Sequence, residues 1–139
     1  MNSDEIRVLF INDDTVTLNA LKRVLRDVPF ASWFTTDAEH SLQIIGEEGM
    51  DVVVTNQVTP TMSGLSLLAA VRDVYPSVVR ILLTGQPPGE VVIPDERLLH
   101  RLLHKPWDNQ VLRAELTRIV EALRERREHI GNSSPIRAA

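Results

Sequence analysis

The 139-residue sequence has no cysteine, which excludes a disulfide framework, a thiolate metal site and a cysteine nucleophile. It also lacks any long hydrophobic run. The longest is five residues, Leu67–Val71, against roughly 20 for a bilayer span. Met1-Asn2-Ser3-Asp4-Glu5 offers no basic flank and no signal-peptide core, so a cytoplasmic location without a membrane partner is expected. Basic charge is in short supply, with 15 Lys+Arg against 19 Asp+Glu and a net charge of −4. A mildly acidic surface repels a phosphate backbone, and no nucleic-acid partner is expected. Lysine is scarcest of all: Lys22 and Lys105 stand beside 13 arginines. An isolated lysine in such a chain points to a need for a compact ammonium rather than a guanidinium fork. The remainder is ordinary globular material, 43% hydrophobic and 24% charged, and long enough for one domain with a real core.

Strand-like apolar runs alternate with helix-like segments along the chain. Ile6–Ile11 is nearly continuous and β-rich, as a strand covered on both faces requires. Thr15 to Arg26 carries Leu18, Leu21 and Leu25 at helical spacing, and Pro29 blocks its continuation. Ala31–Thr35 reads as a second strand. Asp37 caps a helix that buries Ala38, Leu42 and Ile45 and ends at Gly46 or Gly49. Val52-Val53-Val54 is the third strand, and Ser63 caps a helix with Leu65, Leu68 and Val71 on one stripe. Val79–Thr84 is the fourth strand. A helix over Glu90–Leu99 should be short or broken, with Pro87 and Pro88 before it and Pro94 inside it. Arg101–His104 is the fifth strand, and Asp108 caps a last helix burying Leu112, Leu116, Ile119 and Leu123. Residues 1–127 form one domain, and 128–139 read as a flexible tail.

Such alternation implies an α/β fold, a flavodoxin-like doubly wound parallel sheet of five strands in the order 2-1-3-4-5. Ligands of such sheets gather at the carboxyl ends of the strands. Those ends carry Asn12-Asp13-Asp14, Asn56, Thr84 and Lys105, so acid, amide, hydroxyl and ammonium groups meet on one rim. Asp13-Asp14 could also simply cap the first helix. Trp33 and Trp107 read as packing residues, and the four histidines show no metal spacing.

The segments V-L-F-I-N-D-D, D-V-V-V-T-N-Q-V-T-P-T-M-S-G, R-I-L-L-T-G and H-K-P-W-D occur in order, each at a strand end. In this the chain resembles the receiver (CheY-like) domain of two-component response regulators, from about Ile6 to Leu123. The resemblance implies phosphorelay signalling and no enzymatic activity of the domain's own. It further implies an aspartate at position 56 that accepts a phosphoryl group from a kinase, and two acids at 12 and 13 that hold Mg²⁺. A hydroxyl at 84, a lysine at 105 and a switching aromatic at 102 complete the pattern. Asp13, Thr84, Gly85 and Lys105 match it, as do Pro60 and Gly64 in the loop after the acceptor. Asn12, Asn56 and Leu102 depart from it.

Phosphoryl transfer needs an anionic oxygen nucleophile and a bridging metal. A carboxamide at Asn56 is uncharged and a poor nucleophile. Mg²⁺ loses two carboxylates at Asn12 and Asn56 and keeps Asp13 as a weak or vestigial ligand. The expectation is an atypical receiver that needs no cofactor and carries no phosphate. In it Lys105 pairs with Asp13, and the Asn56 amide donates to a carboxylate or carbonyl. It would act by contact with a signalling protein, kinase or output domain. One alternative is an ordinary receiver carrying an Asp-to-Asn substitution at position 56. A small flavodoxin-like enzyme or flavin carrier is another, but the acidic loop after the first strand disfavours a phosphate. Leu98, Leu99, Leu102 and Leu103 predict an exposed apolar patch, and with it a homodimer through residues 90–123.

Overall fold

A computed structural model of the chain describes residues 5–57, 59–85, 93, 98, 100–104 and 108–138, with the side chains of the last helix described to residue 128. The elements are β1 (Arg7–Ile11), α1 (Thr15–Val24), β2 (Ala31–Thr35), α2 (Ala38–Ile44), β3 (Val52–Asn56), α3 (Gly64–Val74), β4 (Val79–Thr84), β5 (Arg101–His104) and α4 (Asn109–Ala138). The strands form one sheet in the order β2-β1-β3-β4-β5, every pairing parallel, as the sequence alternation predicts. The expected helix over Glu90–Leu99 and its prolines 87, 88 and 94 lie outside the described residues.

β3 sits centrally and is buried at all five positions, which is why its sequence is β-branched on both faces. Alternation along the strands then divides the core in two. Val8, Phe10, Val54, Ile81 and Leu83 face α1 and α4, and Leu9, Ile11, Val53 and Leu82 face α2 and α3. Phe10 and Phe34 stack at 5.2 Å, and the Lys22 ammonium lies 5.4 Å from the Phe34 ring centre. Trp33 packs against the second core, as its reading as a packing residue requires.

Each of α1 to α4 starts on a side-chain cap. Asp14 accepts from Val16 N at 3.0 Å, Asp37 from Glu39 N at 2.9 Å, Ser63 from Ser66 N at 3.1 Å and Asp108 from Gln110 N at 2.8 Å. Such bonds satisfy donors that the first turn leaves open, at about 1 kcal/mol each. The buried stripes differ from the expected ones by a neighbour. α3 buries Leu67, Leu68 and Val71 and leaves Leu65 half-buried; α4 buries Leu112, Leu116 and Val120, with Ile119 and Leu123 on its flank. A seam at i, i+4, i+8 faces the sheet squarely, and the i+7 positions fall beside it. After α2 a π-helical turn, Ile45–Gly49, inserts Ile45 into the core and closes at Gly49 with φ of 75°. The backbone of α4 stays helical through residue 138, past the point where the sequence pattern stops. The run 121–128 is rich in Glu and Arg, good helix formers, and Leu123, Arg124 and Arg127 tie it to the first core, to Pro29 O and to Asp51.

The predicted leucine patch is corrected. Leu98 is buried, and Leu102 and Leu103 are half-buried on opposite faces of β5, one in each core. Period-2 alternation keeps neighbouring leucines from forming one surface, so this basis for a homodimer through residues 90–123 is lost. Leu99 lies outside the described residues.

Two local arrangements fix the sheet edges. Arg80, buried in β4, donates from Nε to Leu98 O at 2.7 Å and from Nη1 to Val78 O at 3.1 Å and Pro76 O at 3.2 Å. Its backbone clasps His100: Arg80 N donates to His100 Nδ1 at 2.9 Å, and Arg80 O accepts from His100 N at 2.7 Å. Desolvation, then the Arg80 charge, hold the His100 imidazole below its ordinary value of 6.5. At the other end, a Cβ on Gly64 would stand 2.2 Å from the Asn56 carbonyl oxygen and 2.9 Å from Leu82 Cδ1. Only glycine lets α3 start directly behind the end of β3.

Two outcomes follow. Gly64→Ala should lower stability by about 1–3 kcal/mol, and an unchanged urea midpoint would contradict the close approach. For His100 the folded value lies below the unfolded one, so the unfolded chain takes up the proton first as pH falls. Stability is therefore lost below about pH 6.5. The thermal midpoint of the wild type should drop more than that of His100→Gln between about pH 7.5 and 5.5; parallel curves would show that the imidazole is not so coupled.

Candidate functional site

The carboxyl edge of the sheet is built by three neighbouring strand ends. Asn12 follows β1, its N–H continuing the ladder to Thr35 O at 3.1 Å. It is 2% exposed, and its Oδ1 accepts from Asp14 N at 2.9 Å, turning the chain out of the strand. With Oδ1 so committed, Nδ2 is a buried donor with no hydrogen-bond partner among the described residues. Asp14 directs its carboxylate to α1, accepting from Val16 N at 3.0 Å through Oδ1 and from Thr17 Oγ1 at 2.7 Å through Oδ2. The helix-cap reading of the acidic pair thus holds for Asp14, while Asp13 is left to face the strand ends.

Asp13 and Asn56 meet across the β1–β3 junction. Asn56 Nδ2 donates to Asp13 Oδ1 at 2.9 Å. The sequence leaves the acceptor of the Asn56 amide open between a carboxylate and a carbonyl; it is the exposed Asp13 carboxylate, in a charge-assisted contact from a residue only 9% exposed. Thr84 ends β4 one position beyond Leu83, the residue paired with Asn56, and is 2% exposed. Asn12, Asp13, Asn56 and Thr84 therefore share one rim. Lys105 follows His104, the partner of Thr84 on β5, in sequence. Lys105 and its expected pairing with Asp13 lie outside the described residues, as does Trp107. Leu102 pairs with Leu82 in register and packs into the second core as a half-buried aliphatic side chain.

The donor set does not fit the Mg²⁺ that the family resemblance implies. Magnesium wants oxygen ligands in near-octahedral array, with carboxylates first among them. Here the Asn12 oxygen is held by a backbone amide and the Asp14 oxygens by α1. The Asp13 oxygen nearest β3 meets an N–H rather than a second carboxylate. Among the described residues no group of three His, Asp or Glu side chains is placed to hold a metal ion. Nor, among those residues, is any helix long and apolar enough to cross a membrane.

The sequence reading missed Arg80 and His100 as an anchoring pair. An arginine inside the V-R-I-L-L-T strand, where the pattern asks for an apolar residue, was the available signal.

The family model of the response regulator receiver domain matches residues 8–117. The hydrogenase transcriptional regulatory protein HoxA of Cupriavidus necator is 27% identical over 88% of this chain, which spans only about a quarter (26%) of that protein. The chemotaxis protein CheY of Pseudomonas aeruginosa is 24% identical over 84% of this chain and 97% of its own length. Among solved structures, the signal receiver domain of an HD domain-containing protein from Pseudomonas fluorescens superposes with a TM-score of 0.80 at 32% identity, covering 92% of this chain and 96% of that one. A CheY-like receiver domain from Methanospirillum hungatei, at 22% identity and a TM-score of 0.78, shares the fold. Matched from its first strand into its last helix, the chain belongs to the response regulator receiver domains of two-component systems.

Proposed function

We propose that this domain is a pseudo-receiver: it signals through contact with a protein partner and carries no phosphoryl group at position 56. The observation that carries this reading is the Asn56 Nδ2 to Asp13 Oδ1 hydrogen bond of 2.9 Å. A carboxamide delocalises its lone pair and offers no anionic oxygen for in-line attack. The incoming phosphoryl group would meet the Asp13 carboxylate without a metal to screen it, and like charges at such range repel by several kcal/mol at an effective dielectric of about 20. On this reading the domain uses no Mg²⁺ and catalyses no reaction.

Leu102 supports a fixed rather than switched state. An aliphatic side chain packed into the second core has no ring to swing between two positions. The partner is a kinase, an output domain or another signalling protein. Output in cis is consistent with regulators such as HoxA and the DNA-binding transcriptional regulator NtrC of a Bradyrhizobium strain, each about four times the length matched here. The second reading, an ordinary receiver in which Asn56 stands for Asp, leaves Asn12 and Leu102 unexplained. Three departures in one site favour the first.

Incubation with acetyl phosphate and Mg²⁺ should leave the intact mass unchanged. A hydroxylamine-labile phosphoryl adduct on this rim would overturn the proposal. Asn56→Asp should lower stability by about 1–3 kcal/mol in metal-free buffer, since a carboxylate replaces a donor beside Asp13. Added Mg²⁺ should restore the thermal midpoint of that variant, and more so in Asn12→Asp/Asn56→Asp, while leaving the wild type unmoved. A wild-type midpoint that rises equally with Mg²⁺ would mean that the native pocket binds the metal.

A further inference from the structure

At the end of the sheet opposite Asn56 lies a groove of about 540 Å³, between the amino ends of β4 and β5 and the middle of α4. Its apolar lining includes Val79, Ile119 and Leu123, half-buried side chains at the margin of the first core. Arg101, Arg118 and Arg126 stand around them. One carboxylate serves two of these: Glu115 meets Arg101 Nε at 3.5 Å and Arg118 Nη2 at 2.8 Å. Arg126 makes no ion pair among the described residues. Glu121, Glu125 and Glu128 fall on the far side of α4 from Ile119 and Leu123 at 100° per residue. Among the described residues, three guanidinium groups against one carboxylate leave an excess of two positive charges in a chain of net charge −4. The α4 wall of the groove, from Arg118 to Arg126, lies beyond residue 117, where the family match ends.

We propose that this groove binds a nucleotide-class organic phosphate, its phosphate held by Arg101, Arg118 and Arg126 and its flat body lying on Val79, Ile119 and Leu123. A phosphomonoester carries about −1.5 to −2 charges at pH 7, which matches the local excess. Guanidinium forks bind phosphate oxygens in pairs and also stack on planar rings, so one residue type serves both parts of such a ligand. The volume falls within the roughly 300–1,000 Å³ typical of small-molecule pockets. His100 also lines the groove. Its Nδ1 accepts from Arg80 N, so the neutral ring carries its proton on Nε2, a donor at the groove for a phosphate or a base edge. The inference goes beyond the pseudo-receiver reading and stands apart from it, because the two sites occupy opposite ends of the sheet.

The test is calorimetric titration of the full chain with AMP and GMP, with inorganic phosphate, adenosine and a short poly-glutamate peptide as parallel probes. At least one nucleotide should bind at least tenfold more tightly than either phosphate or adenosine. Arg118→Gln/Arg126→Gln should weaken it at least tenfold with an unchanged circular dichroism spectrum, since both side chains are exposed. Leu123→Ser should weaken the nucleotide and leave phosphate binding as it was. Asn56→Asp should bind the nucleotide as the wild type does, so a failure at either site is read separately. Phosphate binding as tightly as the nucleotide would reduce the groove to a simple anion patch and overturn the proposal. Binding of the acidic peptide alone, or of no probe at millimolar concentration, would overturn it equally.

Discussion

Parallel strands that end side by side bring whatever their last residues carry into contact, and the contact has to be electrically acceptable when it is enclosed. Between β1 and β3 that requirement is met by one hydrogen bond, from the Asn56 amide to the Asp13 carboxylate at 2.9 Å. Two carboxylates there would repel unless a cation lay between them. An amide removes the repulsion and supplies the donor. Around this bond the neighbouring groups settle into local roles. Asn12 turns the chain through Asp14 N, Asp14 starts α1, and Gly64 brings α3 up against the Asn56 carbonyl. A site arranged to hold a metal would instead leave such oxygens pointing at a common centre.

The amino edge of the same sheet has the opposite character. Arg80 is buried and ties three carbonyls of the surrounding turns, while its backbone holds His100. Next to it the starts of β4 and β5 meet α4 in an arginine-lined groove. β5 is an edge strand of four residues with its cover on one side from α4. Such a strand needs fixing at its entry point, and the Arg80 backbone provides it, accepting from His100 N and donating to the His100 ring.

Much of this was legible in the sequence, for identifiable reasons. Ala31–Thr35, Val79–Thr84 and Arg101–His104 were placed to the residue because β-rich runs of four to six sit between strong breakers. The caps at Asp37, Ser63 and Asp108 follow from side-chain chemistry that acts over three residues. That Asn56 and Asp13 share one rim was legible too, through strand order and strand ends, although which group the Asn56 amide meets was not. What failed depended on facing. The four leucines of 98–103 look like a patch in one dimension, and the pleat sends Leu102 and Leu103 to different cores. The buried stripes shifted by a residue because half-buried flanks and fully buried seams share one hydrophobic alphabet. Arg80 was passed over because an arginine in a strand reads as a surface residue until its carbonyl partners, 2 to 18 positions away, are known.

The two ends of the sheet are about five residues apart along each strand, or roughly 17 Å. Everything between them is packed β-structure, with β3 buried at every position and flanked by β1 and β4. On the pseudo-receiver reading no phosphoryl charge arrives at the carboxyl edge, and the usual reason for that core to have two arrangements is removed. On that reading any signal the domain passes on enters elsewhere on the surface or is constant. The amino edge has what an entry point needs: an excess of positive charge among the described residues, an open apolar floor and a connection, through His100 and Arg80, to β4. On the two proposals together, a sheet without a switch at one end still presents a ligand-dependent surface at the other, since a bound anion would change the charge of β5 and α4 without moving the core.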